Sequence, residues 1–250
     1  MTHACLLGPA GFIAGAGLPL TDRGFRYGMS VFETVAVRGS RPLLLEQHLG
    51  RLSENSTAAR FLPPPQWIEA CRSLLARPPI AEGVARIYIT AGDHDGGASR
   101  VAALFEEMPI RAGLGAARAA TVEFTPALPF GKTGNYWPHF LARPASGDEA
   151  ILCTPQGLLL GGCMSNLFLI LDDALATPRQ PIRRGVVRDW VAAGEADLTR
   201  DDLARATAAF LTNSRFGLCE LTAVDGRSLE GDARIGQIWR RYHAEVLGGG

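Results

Sequence analysis

Lysine is nearly absent from this 250-residue chain: arginine supplies 24 of its 25 basic residues, and Lys132 is the single lysine. Acidic residues also number 25, so the formal net charge is zero, and the arginines form no run. This balance argues against nucleic acid or an anionic membrane as the main partner. Unbroken apolar stretches, such as residues 167–171, are far shorter than the roughly 20 residues that span a bilayer. The N-terminus lacks the basic region of a signal peptide, and we therefore expect a cytoplasmic protein.

Several common catalytic motifs are also missing. The five cysteines include no Cys-x-x-Cys pair. There is no Gly-x-Ser-x-Gly elbow and no phosphate-binding Gly-x-x-x-x-Gly-Lys loop, which disfavours serine hydrolases and P-loop enzymes. Asp93, His94 and Asp95 have metal-ligand side chains, but they are consecutive on a glycine-rich loop, and no second cluster completes a site. We therefore expect no metal centre.

Lys132 has a chemical property that arginine lacks. A desolvated lysine amine can lose its proton and form a Schiff base, whereas a guanidinium keeps its proton at any ordinary pH. In a chain this rich in arginine, the one position that kept lysine is a candidate for imine chemistry. The alternative is that an arginine-biased composition left one surface lysine by chance, and the residue counts favour neither interpretation.

Short apolar segments interleaved with helical patterns predict an α+β protein. Ser30–Val37 is rich in β-branched and aromatic residues and is typical of a strand. Glu46–Arg60 has the leucine spacing of a helix, and that helix carries Arg51. Further predicted elements are an irregular connection over Thr21–Gly28 and helices over Asn135–Ala145, Gly185–Ala193 and Arg234–Leu247.

A composition change suggests where the chain divides. Around residues 108–115 the periodic patterns give way to proline, arginine and glycine. We therefore expect a smaller N-terminal α+β domain over residues 1–110, a linker over 111–115 and a larger C-terminal α+β domain over 116–250.

Eight short segments follow one another in a specific order. They are Asp22–Gly28, Val31–Thr34, Glu46–Leu52, Lys132–Tyr136, Ser165–Phe168, Gly185–Arg188, Leu211–Ser214 and Val224–Gly226. This ordered set resembles the class IV aminotransferases, which are pyridoxal-phosphate enzymes of fold type IV, and it covers nearly the whole chain. The resemblance implies a two-domain α+β fold with the cofactor site between the domains, and a homodimer.

The resemblance also implies roles for individual residues. Lys132 would form the imine with pyridoxal 5'-phosphate and then move the proton, which is the chemistry that its being the only lysine suggests independently. Candidates for holding the phosphate are Arg51, the backbone of Val186 and Val187 at a helix start, and the loop of Ser214 and Arg215. Further cofactor positions are Gly161, Ser165 and Asn166. Those expected to line the cofactor or substrate pocket are Tyr27, Phe32, Tyr88, Arg100 and Tyr136, although any one aromatic among them is compatible with a core position.

Two departures from the family pattern bear on the chemistry. Gly161 stands where relatives carry a glutamate whose carboxylate pairs with the pyridine nitrogen, so the electron sink should be weaker. The loop from Gly92 to Arg100 lies where several relatives carry arginines that trap a substrate carboxylate. Here Asp93 and Asp95 precede the single Arg100.

Three functional hypotheses follow for a small-molecule amine substrate. The first is a lyase resembling 4-amino-4-deoxychorismate lyase, which releases pyruvate and 4-aminobenzoate, because aromatisation drives the elimination and reduces the need for a strong sink. The second is an aminotransferase of D-amino or branched-chain amino acids. The third is a non-catalytic relative, which the missing glutamate suggests and which the single lysine argues against.

Overall fold

The computed structural model describes residues 2–111, 113–126, 132–146, 148–180 and 183–248. The chain separates into two compact units. Unit 1 comprises Met1–Ile110 and Phe130–Asn135, and unit 2 comprises Arg111–Pro129 and Tyr136–Gly250. Unit 1 is therefore discontinuous in sequence, and the segment that it gains from the middle of the chain contains Lys132.

Unit 1 is built on an antiparallel sheet in the order β2-β1-β6-β5-β3-β4. Its strands are β1 (Thr2–Gly8), β2 (Gly11–Ala14), β3 (Ser30–Arg38), β4 (Arg41–Pro42), β5 (Glu82–Thr90) and β6 (Arg100–Glu107), and its helices are α1 (Arg23–Tyr27), α2 (Leu45–Ala58) and α3 (Trp67–Leu75). One face of the sheet presents alternate residues of β3 and β5, such as Val35 and Ile87, to the helices α2 and α3. This face forms the apolar core of the unit.

Unit 2 contains a larger mixed sheet in the order β12-β11-β10-β13-β14-β7-β8-β9, with β15 paired to β14. Its strands are β7 (Gly115–Glu123), β8 (Glu149–Cys153), β9 (Leu159–Gly162), β10 (Asn166–Leu171), β11 (Ala174–Pro178), β12 (Gly194–Ala196), β13 (Ala208–Asn213), β14 (Gly217–Val224) and β15 (Arg227–Ser228). Its helices are α4 (Trp137–Leu141), α5 (Val186–Val191), α6 (Arg200–Arg205) and α7 (Ala233–Tyr242), which continues into a π-helical turn over His243–Leu247. The central strand β10 is buried along most of its length, as its unbroken apolar sequence requires.

Several predicted elements differ from the observed ones for local reasons. The expected irregular connection over Thr21–Gly28 contains the short helix α1, which the Asp22 side chain caps by accepting from the Gly24 N–H. The helix expected over Asn135–Ala145 is limited to α4, with a proline in its first turn and Pro144 beyond its end. No helix among the described residues has the length and apolar composition to cross a membrane.

Candidate active site

Lys132 lies in a segment that extends the sheet of unit 1. The Phe32 N–H donates to the Lys132 carbonyl (3.0 Å), and the Gly134 N–H donates to the Ser30 carbonyl (2.8 Å). A single β-bridge pairs Thr133 with Val31. These bonds attach residues 132–134 to the edge of β3, next to Glu33, a residue of β3 whose side chain is buried.

Glu33 is fully buried and gathers three cationic or polar side chains around its carboxylate. Its Oε2 lies 3.7 Å from Lys132 Nζ and accepts from His48 Nδ1 at 2.8 Å. Arg51 grips both oxygens, with Nε donating to Oε1 (2.7 Å) and Nη2 to Oε2 (2.5 Å). Glu33, His48, Arg51 and Lys132 are called the Glu33 cluster below.

The charges within the Glu33 cluster are fixed by burial and by one another. Burial alone raises the pKa of Glu33, but the charges of Lys132 and Arg51 and the hydrogen bonds from His48 and Arg51 outweigh it and hold the pKa far below its usual range. Burial lowers the pKa of His48 more than the Glu33 carboxylate raises it, so this ring is neutral at ordinary pH. Glu33 therefore remains an anion, with Arg51 as its closest charge partner.

Helix α2 positions two members of the Glu33 cluster. His48 and Arg51 are three residues apart and lie on one face of the helix, while Leu49 and Leu52 pack into the core. The Arg51 side chain is only 13% exposed, so its ion pair with Glu33 is largely shielded from water.

Two aromatic rings lie beside the lysine. Phe32 and Tyr88, which are directly opposed on β3 and β5, stack with their ring centroids 5.3 Å apart. Lys132 Nζ lies 5.4 Å from the Phe32 centroid, within range of a cation–π contact. Unit 1 thus brings four of the expected site residues together, namely Lys132, Arg51, Phe32 and Tyr88.

Two other expected pocket residues of unit 1 have different surroundings. The Tyr27 side chain is 59% exposed and stacks with the Arg26 guanidinium. Arg100 is held by carboxylates: its Nη1 donates to Asp22 Oδ2 and Asp93 Oδ1, both at 2.9 Å, and its Nη2 donates to Asp93 Oδ2. Asp93 of the loop, together with Asp22, therefore binds Arg100 within the protein, whereas Asp95 pairs with Arg23.

In unit 2, a tight turn joins β9 to β10 and contains three of the expected cofactor positions. Gly161 adopts φ +104°, a conformation that residues with a side chain rarely adopt, and the Gly162 N–H donates to the Ser165 carbonyl (2.9 Å). The buried Ser165 hydroxyl donates to Glu149 Oε1 (3.3 Å), as does the Met164 N–H (3.3 Å). Burial raises the pKa of Glu149, and these hydrogen bonds offset part of the rise.

Asn166 fixes the loop that leads into helix α5. Its Nδ2 donates to the Arg183 carbonyl at 2.6 Å, and its side chain packs so closely on Gly185 that a Cβ there would overlap Asn166 Oδ1. Only glycine fits between Asn166 and the helix start. Val186 and Val187 follow as the first buried residues of α5.

A third loop of unit 2 is tied to the same turn. Asn213 Nδ2 donates to the Met164 carbonyl (3.3 Å), and Asn213 Oδ1 accepts from the N–H groups of Arg215 and Phe216, both at 2.9 Å. This arrangement orders the chain around Ser214 and Arg215. Thr212 is the cross-strand partner of Asn166, and its buried hydroxyl has no hydrogen-bond partner among the described residues. The turn after β9, the loop before α5 and the loop after β13 are therefore one hydrogen-bonded group.

Tyr136 lies in a partly buried polar cluster of unit 2. Its hydroxyl accepts from Arg183 Nη1 (3.0 Å), and its ring stacks on His139 with centroids 5.1 Å apart. Burial, with a smaller effect from the Arg183 charge, lowers the pKa of His139 to about 4. Neither ring nitrogen of His139 has a hydrogen-bond partner among the described residues.

The sequence profile of the family described as Amino-transferase class IV matches residues 30–224. The chain belongs to this family. Its members use pyridoxal 5'-phosphate, and the protein is accordingly a pyridoxal-phosphate-dependent enzyme. The family and cofactor inferred from the ordered segments are thus confirmed.

Similar proteins include both reaction types considered from the sequence. A Methanocaldococcus jannaschii protein named "Putative branched-chain-amino-acid aminotransferase" is 25% identical over 90% of this chain and 88% of its own length. The structure of 4-amino-4-deoxychorismate lyase from Pseudomonas aeruginosa matches with TM-score 0.76 and 26% identity, covering 92% of this chain and 96% of that one. The branched-chain aminotransferase from Thermoproteus uzoniensis has TM-score 0.86 and 21% identity, covering 98% and 95%. These matches confirm the fold type IV prediction.

Sequence reasoning missed several polar residues around these positions. Glu33 and His48 lie within the segments that resemble the family, but nothing in the sequence distinguishes a carboxylate that binds the lysine from one at the surface. Arg183 is equally inconspicuous among 24 arginines. A signal was present for Asn213, because asparagine after a strand commonly binds the following backbone N–H groups.

Proposed function

We propose that Lys132 carries pyridoxal 5'-phosphate and acts on the primary amine of the substrate. The bound cofactor supplies an electron sink for negative charge at the carbon next to that amine. The chain supplies an amine beside a permanent carboxylate, with Lys132 Nζ at 3.7 Å from Glu33 Oε2. This juxtaposition is the observation that carries the proposal.

Glu33 lets Lys132 change its protonation state without leaving a buried charge unpaired. While Lys132 is an ammonium, Glu33 stabilises it through the ion pair. When the lysine loses its proton and becomes a nucleophile or base, Arg51 and His48 still hold the carboxylate. We therefore assign Glu33, which the sequence did not single out, as a positioning residue for Lys132.

The phosphate-binding role of unit 2 remains part of the proposal. Buried polar atoms that lack protein partners fit a polar ligand, and the Thr212 hydroxyl is such an atom. Thr212 is paired across the sheet with Asn166, and the Asn166 side chain packs against Gly185, directly before Val186 and Val187. We propose that these two backbone N–H groups and the Ser214–Arg215 loop hold the phosphate, and that Arg51 adds its positive charge while its Nε and Nη2 stay bound to Glu33.

For the reaction type we propose a lyase that releases pyruvate from an amino-substituted ring precursor and leaves 4-aminobenzoate. The supporting observation is Gly161, which places no carboxylate where relatives stabilise the protonated pyridine. A weak electron sink costs least where aromatisation of the product drives the bond cleavage.

The second candidate is an aminotransferase, and the position of Arg100 favours it. Because Asp22 and Asp93 occupy the Arg100 guanidinium, this side chain is a poor partner for a second substrate carboxylate. The Phe32–Tyr88 stack beside Lys132 also suits an apolar side chain, as in a branched-chain amino acid.

The test begins with the cofactor. Purified protein mixed with pyridoxal 5'-phosphate and reduced with borohydride should retain the cofactor covalently on Lys132, as peptide mass spectrometry would show. Lys132→Ala should retain none. Lys132→Arg is the matched variant, because it keeps a positive charge opposite Glu33 but cannot form the bond.

The reaction is then assigned from its products. Pyruvate and 4-aminobenzoate released in equal amounts from 4-amino-4-deoxychorismate would support the lyase. Amino transfer from branched-chain or D-amino acids to a 2-oxo acid, without pyruvate release, would replace it with the aminotransferase. A wild-type protein that shows no covalent cofactor would refute both.

We also propose a cytoplasmic homodimer acting on a small-molecule amine. Large apolar side chains are exposed in each unit, including Phe25 in unit 1 and Trp137, Phe140 and Leu141 in unit 2. In unit 2, Trp137 and Phe140 stack with their ring centroids 5.5 Å apart, and clustered apolar exposure of this kind is typical of surfaces that associate. Sedimentation analysis of the purified protein would show a monomer if this proposal is wrong.

A further inference from the structure

Arg183 is a buried cation whose bonding is incomplete. It is 6% exposed, and its Nη1 and Nη2 donate to the Tyr136 hydroxyl (3.0 Å) and the Cys163 carbonyl (2.9 Å). Its Nε has no partner among the described residues, and no described carboxylate forms an ion pair with it. A buried guanidinium without an anion is costly unless another group binds to it.

Arg188, five residues further along the chain and within helix α5, shows how a structural buried arginine is satisfied in this unit. It is equally buried, but its Nη2 donates to the Pro178 carbonyl (2.9 Å), its Nε donates to the Thr177 hydroxyl (3.3 Å), and its Nη1 pairs with Glu195 (3.1 Å). Arg183 has no such direct ion pair among the described residues, and Glu149 acts on it only as a more distant charge. The contrast indicates that Arg183 serves to bind a ligand, whereas Arg188 stabilises the fold.

Arg183 is anchored to the turn that lacks the expected carboxylate. Its guanidinium binds the carbonyl of Cys163, and its own carbonyl accepts from Asn166. Both contacts lie on the turn from Gly161 to Asn166, whose first residue replaces the glutamate of relatives. At this turn position 161 therefore carries no carboxylate. The Arg183 guanidinium lies there together with Glu149, whose carboxylate is held by Ser165 and Met164.

We propose that Arg183 faces the pyridine nitrogen of the cofactor and donates a hydrogen bond to it, keeping that nitrogen unprotonated. A guanidinium has five N–H donors and no acceptor, so its partner must offer a lone pair. A protonated pyridine offers none and would place two positive groups together, whereas a neutral pyridine fits. The inference rests on the proposed function, and it states what replaces the missing glutamate.

If Arg183 keeps the pyridine nitrogen unprotonated, the enzyme suits a reaction that needs only a weak electron sink. A neutral pyridine stabilises negative charge less than a protonated one. An enzyme that binds it in this form gains by limiting side reactions at the carbon next to the amine. The substrate would then belong to the class of amines whose reaction is driven by the stability of the product, such as a ring precursor that becomes aromatic.

The test uses the full-length protein loaded with a cofactor whose ring nitrogen is isotopically labelled, and nitrogen NMR reports its protonation. The wild type should show the chemical shift of a neutral pyridine throughout its stable pH range. Arg183→Leu should let the nitrogen titrate, so that the pyridinium shift appears as the pH is lowered. Arg184→Leu is the matched control, because Arg184 is exposed and pairs with Asp189.

The outcomes separate this inference from the proposed function. Covalent cofactor on Lys132 together with a pyridinium shift in the wild type would overturn the role of Arg183 alone. So would an unchanged shift in Arg183→Leu with a raised KM, since that pattern indicates a substrate-binding arginine. A wild type that takes up no cofactor would overturn both. If Arg183→Leu fails to fold, Arg183→Met decides, because its unbranched side chain follows the course of the arginine stem and carries no donor. The ring nitrogen should then titrate, and an unchanged neutral shift would contradict the inference.

Discussion

Replacing Glu33 by glutamine should destabilise unit 1 far more than its change in shape suggests. Glutamine is nearly isosteric but carries no charge, so Arg51 and Lys132 would lose their buried counter-ion. Breaking a buried ion pair from one side costs about 3–5 kcal/mol. The Glu33 carboxylate is fully buried, so solvent screening does not reduce this figure. The folded-to-unfolded ratio should fall by more than roughly a hundredfold.

The control is the exposed ion pair between Glu46 and Arg72, in which Glu46 lies on α2, the helix that carries Arg51. Glu46 accepts two hydrogen bonds from Arg72 (2.9 and 2.7 Å), as Glu33 does from Arg51, but Glu46 is 61% exposed. Glu46→Gln should therefore cost about 0–1 kcal/mol. The difference between the two variants measures the effect of burial on one kind of ion pair.

Urea unfolding followed by fluorine NMR of fluorotryptophan-labelled protein would make the measurement, because Trp67 is the one tryptophan in the sequence of unit 1. The loss in Glu33→Gln should be constant above about pH 4.3, the ordinary glutamate pKa, and should shrink as the pH falls below it. The sign follows because the unfolded chain takes up the proton first when the folded pKa is depressed. A Glu33→Gln protein within about 1 kcal/mol of wild type would refute the reasoning.

Three further predictions test other parts of the structure. Gly185→Ala should weaken cofactor binding at least about tenfold in an absorbance titration, because the added methyl group displaces Asn166. Gly236→Ala is the control and should leave binding unchanged, because a Cβ there meets only Arg240 Nη1 at 3.6 Å. As the pH is lowered from about 6.5 to the His139 pKa of about 4, the free energy of unfolding should fall, because the ring protonates first in the unfolded chain. His139→Phe should flatten this dependence on pH, and equal slopes in the two proteins would contradict the prediction. Thr199→Ala removes the capping box of α6 and should cost about 1 kcal/mol in urea unfolding, and a change of α6 helicity without loss of stability would be unexpected.

The sequence anticipated the elements whose signals are local. Strand β3 was expected over Ser30–Val37 and is Ser30–Arg38, and helix α2 was expected over Glu46–Arg60 and is Leu45–Ala58. Both have strong periodicity, and packing reinforces it. Helix α6 was missed, although Thr199 and Asp202 form a capping box that a search for helix starts would have found.

The candidate site was less predictable because its residues depend on tertiary contacts. Lys132 could be singled out by its rarity, but its partner Glu33 lies 99 residues earlier in the sequence, and only the pairing of residues 132–134 with β3 brings them together. Arg100 was expected in the pocket from its position, yet the distant Asp22 competes for it. The pattern of residue types indicates which chemistry is present, while the choice among possible ion-pair partners is made by the fold.

The discontinuity of unit 1 has a consequence for its biosynthesis. Residues 132–134 cover the edge of β3 at Val31 and Phe32. A nascent chain that stops at residue 110 therefore contains helices α1, α2 and α3 but has an open strand edge beside Glu33, which lacks Lys132. Unprotected edges of this kind recruit other strands. The first unit can therefore finish folding only after the ribosome has delivered a segment that follows β7 of the second, and an excised fragment 1–110 should aggregate unless a peptide spanning Lys132 is supplied in trans.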